Sequence, residues 1–339
     1  MLECVAVAAR DGEKAAEFAK EYGIPKSYDS YSKLLEDPDI DVVYVGSIAD
    51  YHGQMTKMCL EAGKPTVCEK PLTLTAVDTA ELVQIARDKD IFLCEGMWTR
   101  FFPAMKKVSE IIASGEIGTI VNVQGDFGWC NNDCPYPEDR IWNPLSGGMI
   151  YDIGMYMAHL GQIAYPNAAV ERIQAMGTKK NGIDQTVLCN MMFSNGNEKL
   201  DDQTGQKGML QFYVTGAANT EETVTIQGSS GRIVLDAPAH VPSSIRVFKD
   251  AGRGKSIKTV LDFSLPDDAW GAPWNYPGSI GFSYEIEEVG KALRRGEKQC
   301  SQFTWEHSIQ LATMIDEIIR QTRGDILEED AGGEEKVSR

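Results

Sequence analysis

Four short strings in this chain of 339 residues hold side chains that could do chemistry. Cys68-Glu69-Lys70-Pro71 presents an ammonium at the end of an apolar run. A lysine beside a reacting hydroxyl can steer its proton and stabilise negative charge developing on oxygen. Read alone, Lys70 fits a solvated surface lysine better. Gly147-Gly148 leads into Asp152-Ile153-Gly154-Met155-Tyr156. There Asp152 and Tyr156 stand at i, i+4 and share a face if the segment is one helical turn. An unperturbed phenol titrates near about 10, too high for a base at neutral pH. A nearby ammonium such as Lys70 favours phenolate and lowers that value. The competing reading of Tyr156 is packing in a helix interface. Arg10, in Ala8-Ala9-Arg10-Asp11, ends an apolar run with a guanidinium, a planar cation with five donors. Trp98-Thr99-Arg100-Phe101-Phe102-Pro103 and, further on, Phe127 offer large aromatic faces. Core packing accounts for Trp98 and Phe127 equally well.

These residues need elements to hold them. Over the first hundred positions short apolar runs alternate with helical spacing. Cys4–Ala9, Val42–Val45, Thr66–Cys68 and Ile91–Cys94 read as buried parallel strands. Asp11 caps a helix with Ala15, Phe18, Ala19 and Tyr22 on one face, stopped by Gly23 and Pro25. Met55, Met58, Cys59 and Ala62 repeat the spacing, and Thr75 caps a helix with Ala76, Ala80 and Val83 on its face. Strands regularly separated by helices argue for a parallel sheet covered on both faces. Beyond residue 100 come a helix (102–113), a strand (119–127), a loop rich in Asn, Pro and Asp (129–146) and a short helix after Gly148. Strand-like stretches then fill 170–262 and read as an antiparallel sheet. Two closing helices follow, the second with Leu311, Met314, Ile315 and Ile318 on one face, then an acidic tail. The fold class is therefore α/β, a nucleotide-binding domain followed by a domain with a large, mostly antiparallel open sheet. The boundaries read as 1–98, 99–322 and a flexible tail, 323–339. Ligands in such parallel sheets bind at the carboxyl ends of the strands, where Arg10, Lys70 and Trp98 fall.

Composition removes other classes. Lys+Arg of 33 against Asp+Glu of 50 leaves a formal charge of −17, which repels nucleic acid and anionic membrane surfaces alike. No apolar run reaches membrane-spanning length, and MLECVAVAAR has no signal-peptide pattern. The eight cysteines are too sparse for a disulfide scaffold, and scattered reduced thiols suit a cytoplasmic protein. Cys130 and Cys134 pair closely, but no second pair or histidine cluster completes a metal site, and none is expected.

The four strings, in register, resemble the Gfo/Idh/MocA oxidoreductase family, in particular its dimeric dihydrodiol dehydrogenase branch, whose members are also described as NADP-dependent D-xylose dehydrogenases. The resemblance extends from Val5 to the closing helices and takes in Gly182-Ile183-Asp184-Gln185-Thr186 and Phe282-Ser283-Tyr284-Glu285. It implies a Rossmann domain, an open-sheet substrate and dimerisation domain, and NADP-linked hydride transfer at a carbon bearing a hydroxyl. It also implies a homodimer acting on a small molecule. Lys70 matches the family's catalytic lysine, Tyr156 its general acid/base and Asp152 a substrate-positioning carboxylate. Arg10, His52, Glu69 and Lys70 fall on the cofactor side, and Trp98, Phe127 and Asp152 on the substrate side. His52 also fits a local structural histidine opening a helix.

One departure stands out. A Rossmann domain begins with a strand and a Gly-x-Gly-x-x-Gly loop, with the 2′-phosphate position about 20 residues later. Here that later position is already residue 10, and no other Gly-x-Gly-x-x-Gly occurs. Two strand edges are then expected to lose their partners, or their neighbours to close up. The lost loop and helix N-terminus would have held the pyrophosphate, so NADP is expected to bind weakly or not at all. Either the sequence belongs to a longer enzyme, with Met1 a mis-assigned start, or it is a non-catalytic relative that keeps the substrate domain for binding or dimerisation. The substrate expected of the enzyme is a trans-dihydrodiol of the trans-1,2-dihydrobenzene-1,2-diol type or an aldose such as D-xylose, oxidised to its lactone.

Overall fold

A computed structural model describes residues 2–136, 138–194, 207–267 and 276–324. The acidic tail beyond Gly324 lies outside the described residues. The chain divides into two compact units: Met1–Phe101 with Ser279–Ile309, and Phe102–Gly278 with Gln310–Arg339.

The first unit alternates strand and helix. β1 (Ala6–Ala8) leads through Asp11 into α1 (Gly12–Tyr22), whose first amides Glu13 and Lys14 donate to the Asp11 carboxylate at 3.0 and 3.2 Å. Gly23 ends the helix in the left-handed conformation, φ 66°. β2 (Lys26–Tyr28) and α2 (Tyr31–Glu36) follow; they are too short and polar to show in the hydrophobic pattern. Then come β3 (Val43–Val45), α3 (His52–Glu61), β4 (Thr66–Glu69), α4 (Ala76–Asp88) and β5 (Leu93–Gly96). Thr75 caps α4 by accepting the Asp78 N–H at 3.1 Å. Leu60, Cys68, Leu82, Val83 and Leu93 form the core beneath β3–β5. Full burial of such an aliphatic side chain contributes about 1.5–3 kcal/mol.

The sheet of this unit is split. β1 pairs with β2, and β3, β4 and β5 pair in that order, all in parallel. Among the described residues no strand joins β1 to β3, so each keeps one edge without a ladder. Burial falls toward that break: β5 is buried at every position, β3 only at Val45, and β1 nowhere. The edges expected to lose their partners stand open rather than closing up.

The second unit begins with α5 (Pro103–Ser114) and β6 (Ile120–Gly128). A five-residue π-helical turn, Ile150–Gly154, then runs into α6 (Met155–Ala164), which is buried all round. Strands β7 (Val170–Lys180), β8 (Ile183–Phe193), β9 (Gly208–Thr215), β10 (Val224–Gly228), β11 (Gly231–Leu235), β12 (Ser244–Asp250) and β13 (Ser256–Asp262) complete it. They form one continuous sheet with β6, in the order β13-β12-β11-β10-β6-β9-β8-β7. Every neighbouring pair is antiparallel except β6 and β9. α6 packs on β6 and β9. Among the described residues no helix is long and apolar enough to cross a membrane.

Two helices close the chain, α7 (Phe282–Arg294) and α8 (Trp305–Arg323). Here the structure corrects the domain expectation of an unbroken second domain from 99 to 322. Ser279–Ile309 packs with the first unit, and α8 passes to the second from Gln310. The cause is local pairing. The Leu93 N–H donates to Lys298 O at 3.0 Å, Trp305 Nε1 donates to Leu93 O at 2.9 Å, and Phe282 stacks on Trp98. The returning segment covers the outer edge of β5.

Candidate active site

In the first unit the candidate residues cluster at the carboxyl ends of β3, β4 and β5, the ligand-binding edge of a parallel sheet. β4 ends at Glu69, so Lys70 and Pro71 form the turn that follows. Glu69 accepts the Tyr44 hydroxyl at 2.5 Å from the neighbouring strand β3. Under Lys70 lies a residue that no local motif marks. Glu95 on β5 is buried, and its carboxylate accepts the Leu72 N–H at 3.0 Å, closing the turn around Lys70. Burial pushes the Glu95 carboxyl up to about 7, against hydrogen bonds from Ser308 and Leu72 and the Lys70 ammonium, which pull it down. Beside it Glu285 is fully buried, and neither of its carboxyl oxygens has a hydrogen-bond partner. Burial first, then the charges of Glu69, Cys300 and Glu95, hold Glu285 well above the ordinary carboxylate range. Gly96 lets these groups meet: a Cβ there would stand 3.5 Å from Glu285 Oε1 and 3.2 Å from Cys68 O.

His52 is buried, with Nδ1 2.6 Å from Pro71 O and Nε2 2.8 Å from Ser47 O. A neutral imidazole can donate from only one nitrogen. The ring ties the turn after β3 to the Lys70-Pro71 turn. Trp98 is wholly buried, its ring 4.2 Å from that of Phe282 and nearly parallel to it. Arg10 is exposed, its guanidinium 5.1 Å above the Tyr51 ring.

In the second unit Asp152 lies in the π-helical turn and Tyr156 in the first turn of α6. The single α-helical turn expected from the i, i+4 spacing is therefore replaced by a wider π turn at its start, a feature frequent at functional sites. A third residue that the sequence did not flag reaches this turn. Arg140 Nη1 donates to Asp152 Oδ1 at 2.7 Å. The Asp152 charge holds the Arg140 guanidinium above its usual value, and Asp139 and Tyr156 act in the same sense. The second unit thus carries a cation of its own at the Asp152 turn, as the first carries Lys70 after β4. Tyr156 is nearly buried in an aromatic cluster, its ring 5.9 Å from Phe127 and 5.5 Å from His240.

Asp184 anchors this turn. Its Oδ2 accepts the Ile150 N–H at 2.8 Å, and its Oδ1 pairs with the buried Arg323 guanidinium, which also donates to Gly147 O. Gly148 fits at φ 97°, where a Cβ would collide with both Asp184 and Arg323. Gly148 thus answers to a buried ion pair that closes from the far end of α8, and Gly147 to the backbone of Ile141 and Asn143, which a Cβ there would meet.

Residues 1–96 match the model of the oxidoreductase family with NAD-binding Rossmann fold, and 105–234 match the Gfo/Idh/MocA C-terminal domain. Trans-1,2-dihydrobenzene-1,2-diol dehydrogenase of Sus scrofa is 32% identical over 317 residues, 93% of this chain and 88% of the relative. The Danio rerio protein of that name is 33% identical over 320 residues, 94% of this chain and 88% of the relative. The chain belongs to the Gfo/Idh/MocA family. It is an oxidoreductase with a nicotinamide-dinucleotide-type Rossmann fold. In fold it is similar to a levoglucosan dehydrogenase in complex with NADH and levoglucosan, with TM-score 0.78, 21% identity, and coverage of 94% of this chain and 87% of that one. A 3-ketoreductase from Actinomadura kijaniata in complex with NADP has TM-score 0.74, 21% identity, and coverage of 95% and 90%.

The described residues fit a nicotinamide dinucleotide at its two ends but not in its middle. Arg10 follows β1 and Lys70 follows β4, two cations at the carboxyl ends of parallel strands, where such sheets bind ligands. No glycine-rich turn entering a helix N-terminus is found for the pyrophosphate among the described residues. α1 opens instead on the carboxylate of Asp11, which repels phosphate.

Proposed function

We propose that the protein is an NADP-linked dehydrogenase that oxidises a hydroxyl-bearing carbon of a small cyclic substrate. That substrate is a trans-1,2-dihydrobenzene-1,2-diol-type dihydrodiol or an aldose such as D-xylose, which yields its lactone. The observation that carries this reading is the grouping of Tyr156 with Arg140 and Asp152 against the aromatic rings of Phe127 and His240. When bound, nicotinamide accepts the hydride. Tyr156, as phenolate beside Arg140, takes the hydroxyl proton as the carbonyl forms. Lys70 steers that proton and stabilises charge on the oxygen. Asp152 positions the substrate, and Phe127 faces its ring. Arg10 reads the 2′-phosphate, which favours NADP over NAD. His52 and Glu69 hold the Lys70-Pro71 turn on the cofactor side, and Trp98 backs the same edge. The names of the curated relatives support the dihydrodiol.

A homodimer and a cytoplasmic location go with this reading. Met176 and Leu188 are cross-strand partners on β7 and β8, and both side chains are exposed, at 69% and 50%. Such an apolar sheet face suits a second copy of the chain. All eight cysteines are free thiols.

The test is reduction of NADP⁺ with each substrate. Lys70→Ala and Tyr156→Phe should each lower turnover by about 10² or more. Wild-type turnover in both variants would contradict the assignment. The split sheet of the first unit favours a second reading, a binding or dimerisation protein with weak cofactor affinity. Dimerisation without cofactor and without turnover on either substrate would select it.

A further inference from the structure

The second unit holds a carboxylate–imidazole pair that the Asp152–Tyr156 turn does not account for. His240 Nδ1 contacts Glu222 Oε1, and the His240 backbone N–H donates to the same oxygen at 3.2 Å. Both side chains are close to buried, with 15% and 14% of their surface exposed. The Glu222 backbone stands at φ 56°. That left-handed conformation costs a residue with a side chain on the order of 1–3 kcal/mol. It is held from two sides: Asp126 Oδ2 accepts the Glu222 N–H at 2.7 Å, and the Ala239 N–H donates to Glu222 O at 3.1 Å. Glycine or asparagine would hold the same backbone more cheaply. The turn geometry therefore does not explain a glutamate there; its carboxylate on the imidazole does.

The imidazole in turn faces the candidate acid/base. Its ring stacks on Phe127 at 4.8 Å, with the planes 22° apart, and lies 5.5 Å from the Tyr156 ring. Asp126, which locks Glu222, neighbours Phe127 on β6. One strand thus supplies both the ring that His240 stacks on and the carboxylate that fixes its partner. A carboxylate on one ring nitrogen sets which nitrogen carries the proton and fixes the ring plane.

We propose that Glu222 and His240 are positioning residues of the reaction. Glu222 orients His240, and His240, stacked on Phe127, holds the Tyr156 phenol in its working orientation and, with Arg140, governs its ionisation. The proposal rests on the reading of Tyr156 as acid/base. The charged and titratable groups gathered around the phenol are Arg140 and Asp152 from the loop and π turn, His240 and Glu222 from the loops beside β10 and β11, and Asp126 from β6.

Two readouts test it. His240→Phe keeps the ring stack and removes both nitrogens. It should lower kcat by about 10- to 10²-fold with KM within about threefold, and move the pH profile of kcat. Glu222→Gln should act in the same direction and less. The double variant should be no worse than His240→Phe, because Glu222 works through His240. His240→Gln, which keeps a polar edge, should recover part of the loss. Independently of turnover, the Tyr156 phenol can be titrated by NMR in protein labelled at tyrosine Cζ, its signal assigned with Tyr156→Phe. The titration midpoint should move in His240→Phe.

Wild-type kcat and an unmoved Tyr156 titration in a folded His240→Phe, with Tyr156→Phe inactive, would overturn the dyad and leave the dehydrogenase reading standing. Multiplying losses in the double variant would overturn the coupling. Full turnover in Tyr156→Phe would overturn both readings. If no turnover is found with any substrate, the NMR titration decides.

Discussion

The two units solve the same packing problem differently. The second builds one eight-stranded sheet and pairs its buried charge, Asp184 with Arg323, which are 0% and 5% exposed. The first leaves its sheet in two pieces and holds two buried acids, Glu95 and Glu285, where β4 and β5 end. Where a ladder is continuous and a buried charge is paired, local and global preferences agree. Where edges are open and a buried carboxyl such as Glu285 has no hydrogen-bond partner, the structure carries a local cost, and such costs gather at functional sites. The first unit concentrates that cost at the carboxyl edge of its strands, the edge that holds Lys70. The second concentrates its irregularity in the π turn that carries Asp152 and in the left-handed Glu222.

The largest expected effect tests the paired half of this contrast. Arg323→Met leaves Asp184 buried and charged without its guanidinium. It should destabilise the protein by about 3–5 kcal/mol in denaturant unfolding. A loss below about 1 kcal/mol would show the ion pair to be no more than a surface pair and would remove the contrast.

A smaller effect tests the first unit through pH. Folding raises the Glu95 carboxyl from its ordinary 4.5 to about 7. A raised acid binds its proton more tightly in the native state, so its contribution is fully present below pH 4.5 and is lost as pH rises through about 7. At 1.36 kcal/mol per pH unit the loss is on the order of 3 kcal/mol. Glu95→Gln keeps an acceptor for the Leu72 N–H and should remove that part of the slope. Stability curves of wild type and variant that stay parallel from pH 4 to pH 8 would show that Glu95 does not titrate in this range.

Much of this was legible in the sequence. The caps at Asp11 and Thr75, the stop at Gly23 and most of the α/β alternation depend on neighbours in the chain, and they fold as their residue types dictate. Of the two outcomes left open for the strand edges, lost partners or closed-up neighbours, the separate β1-β2 and β3-β4-β5 sheets show the first. β2 and α2 escaped because three-residue Lys26-Ser27-Tyr28 has no apolar alternation to display. The return of Ser279–Ile309 to the first unit escaped because its anchors, Leu93 with Lys298 and Trp305, lie 205 to 212 positions apart. Arg140, Glu222 and His240 showed no motif, and Asp184, though inside the Gly182-Ile183-Asp184-Gln185-Thr186 string, gave no sign of its partner. Asp126 reaches Glu222 across 96 positions and Arg323 reaches Asp184 across 139. A glycine pair before the π turn and a turn-forming Glu222 were the available signals, and neither names its partner.

The most direct test of the account is a titration of the 339-residue chain with NADPH, followed by tryptophan quenching and nicotinamide emission, beside NADH and the Arg10→Ala variant. The account predicts saturable but weak NADPH binding, with a Kd above about 10 μM, and NADH weaker still by roughly tenfold. Arg10→Ala should abolish that preference. A folded sample that binds neither nucleotide at millimolar concentration, or binds both equally with Arg10 intact, would contradict it.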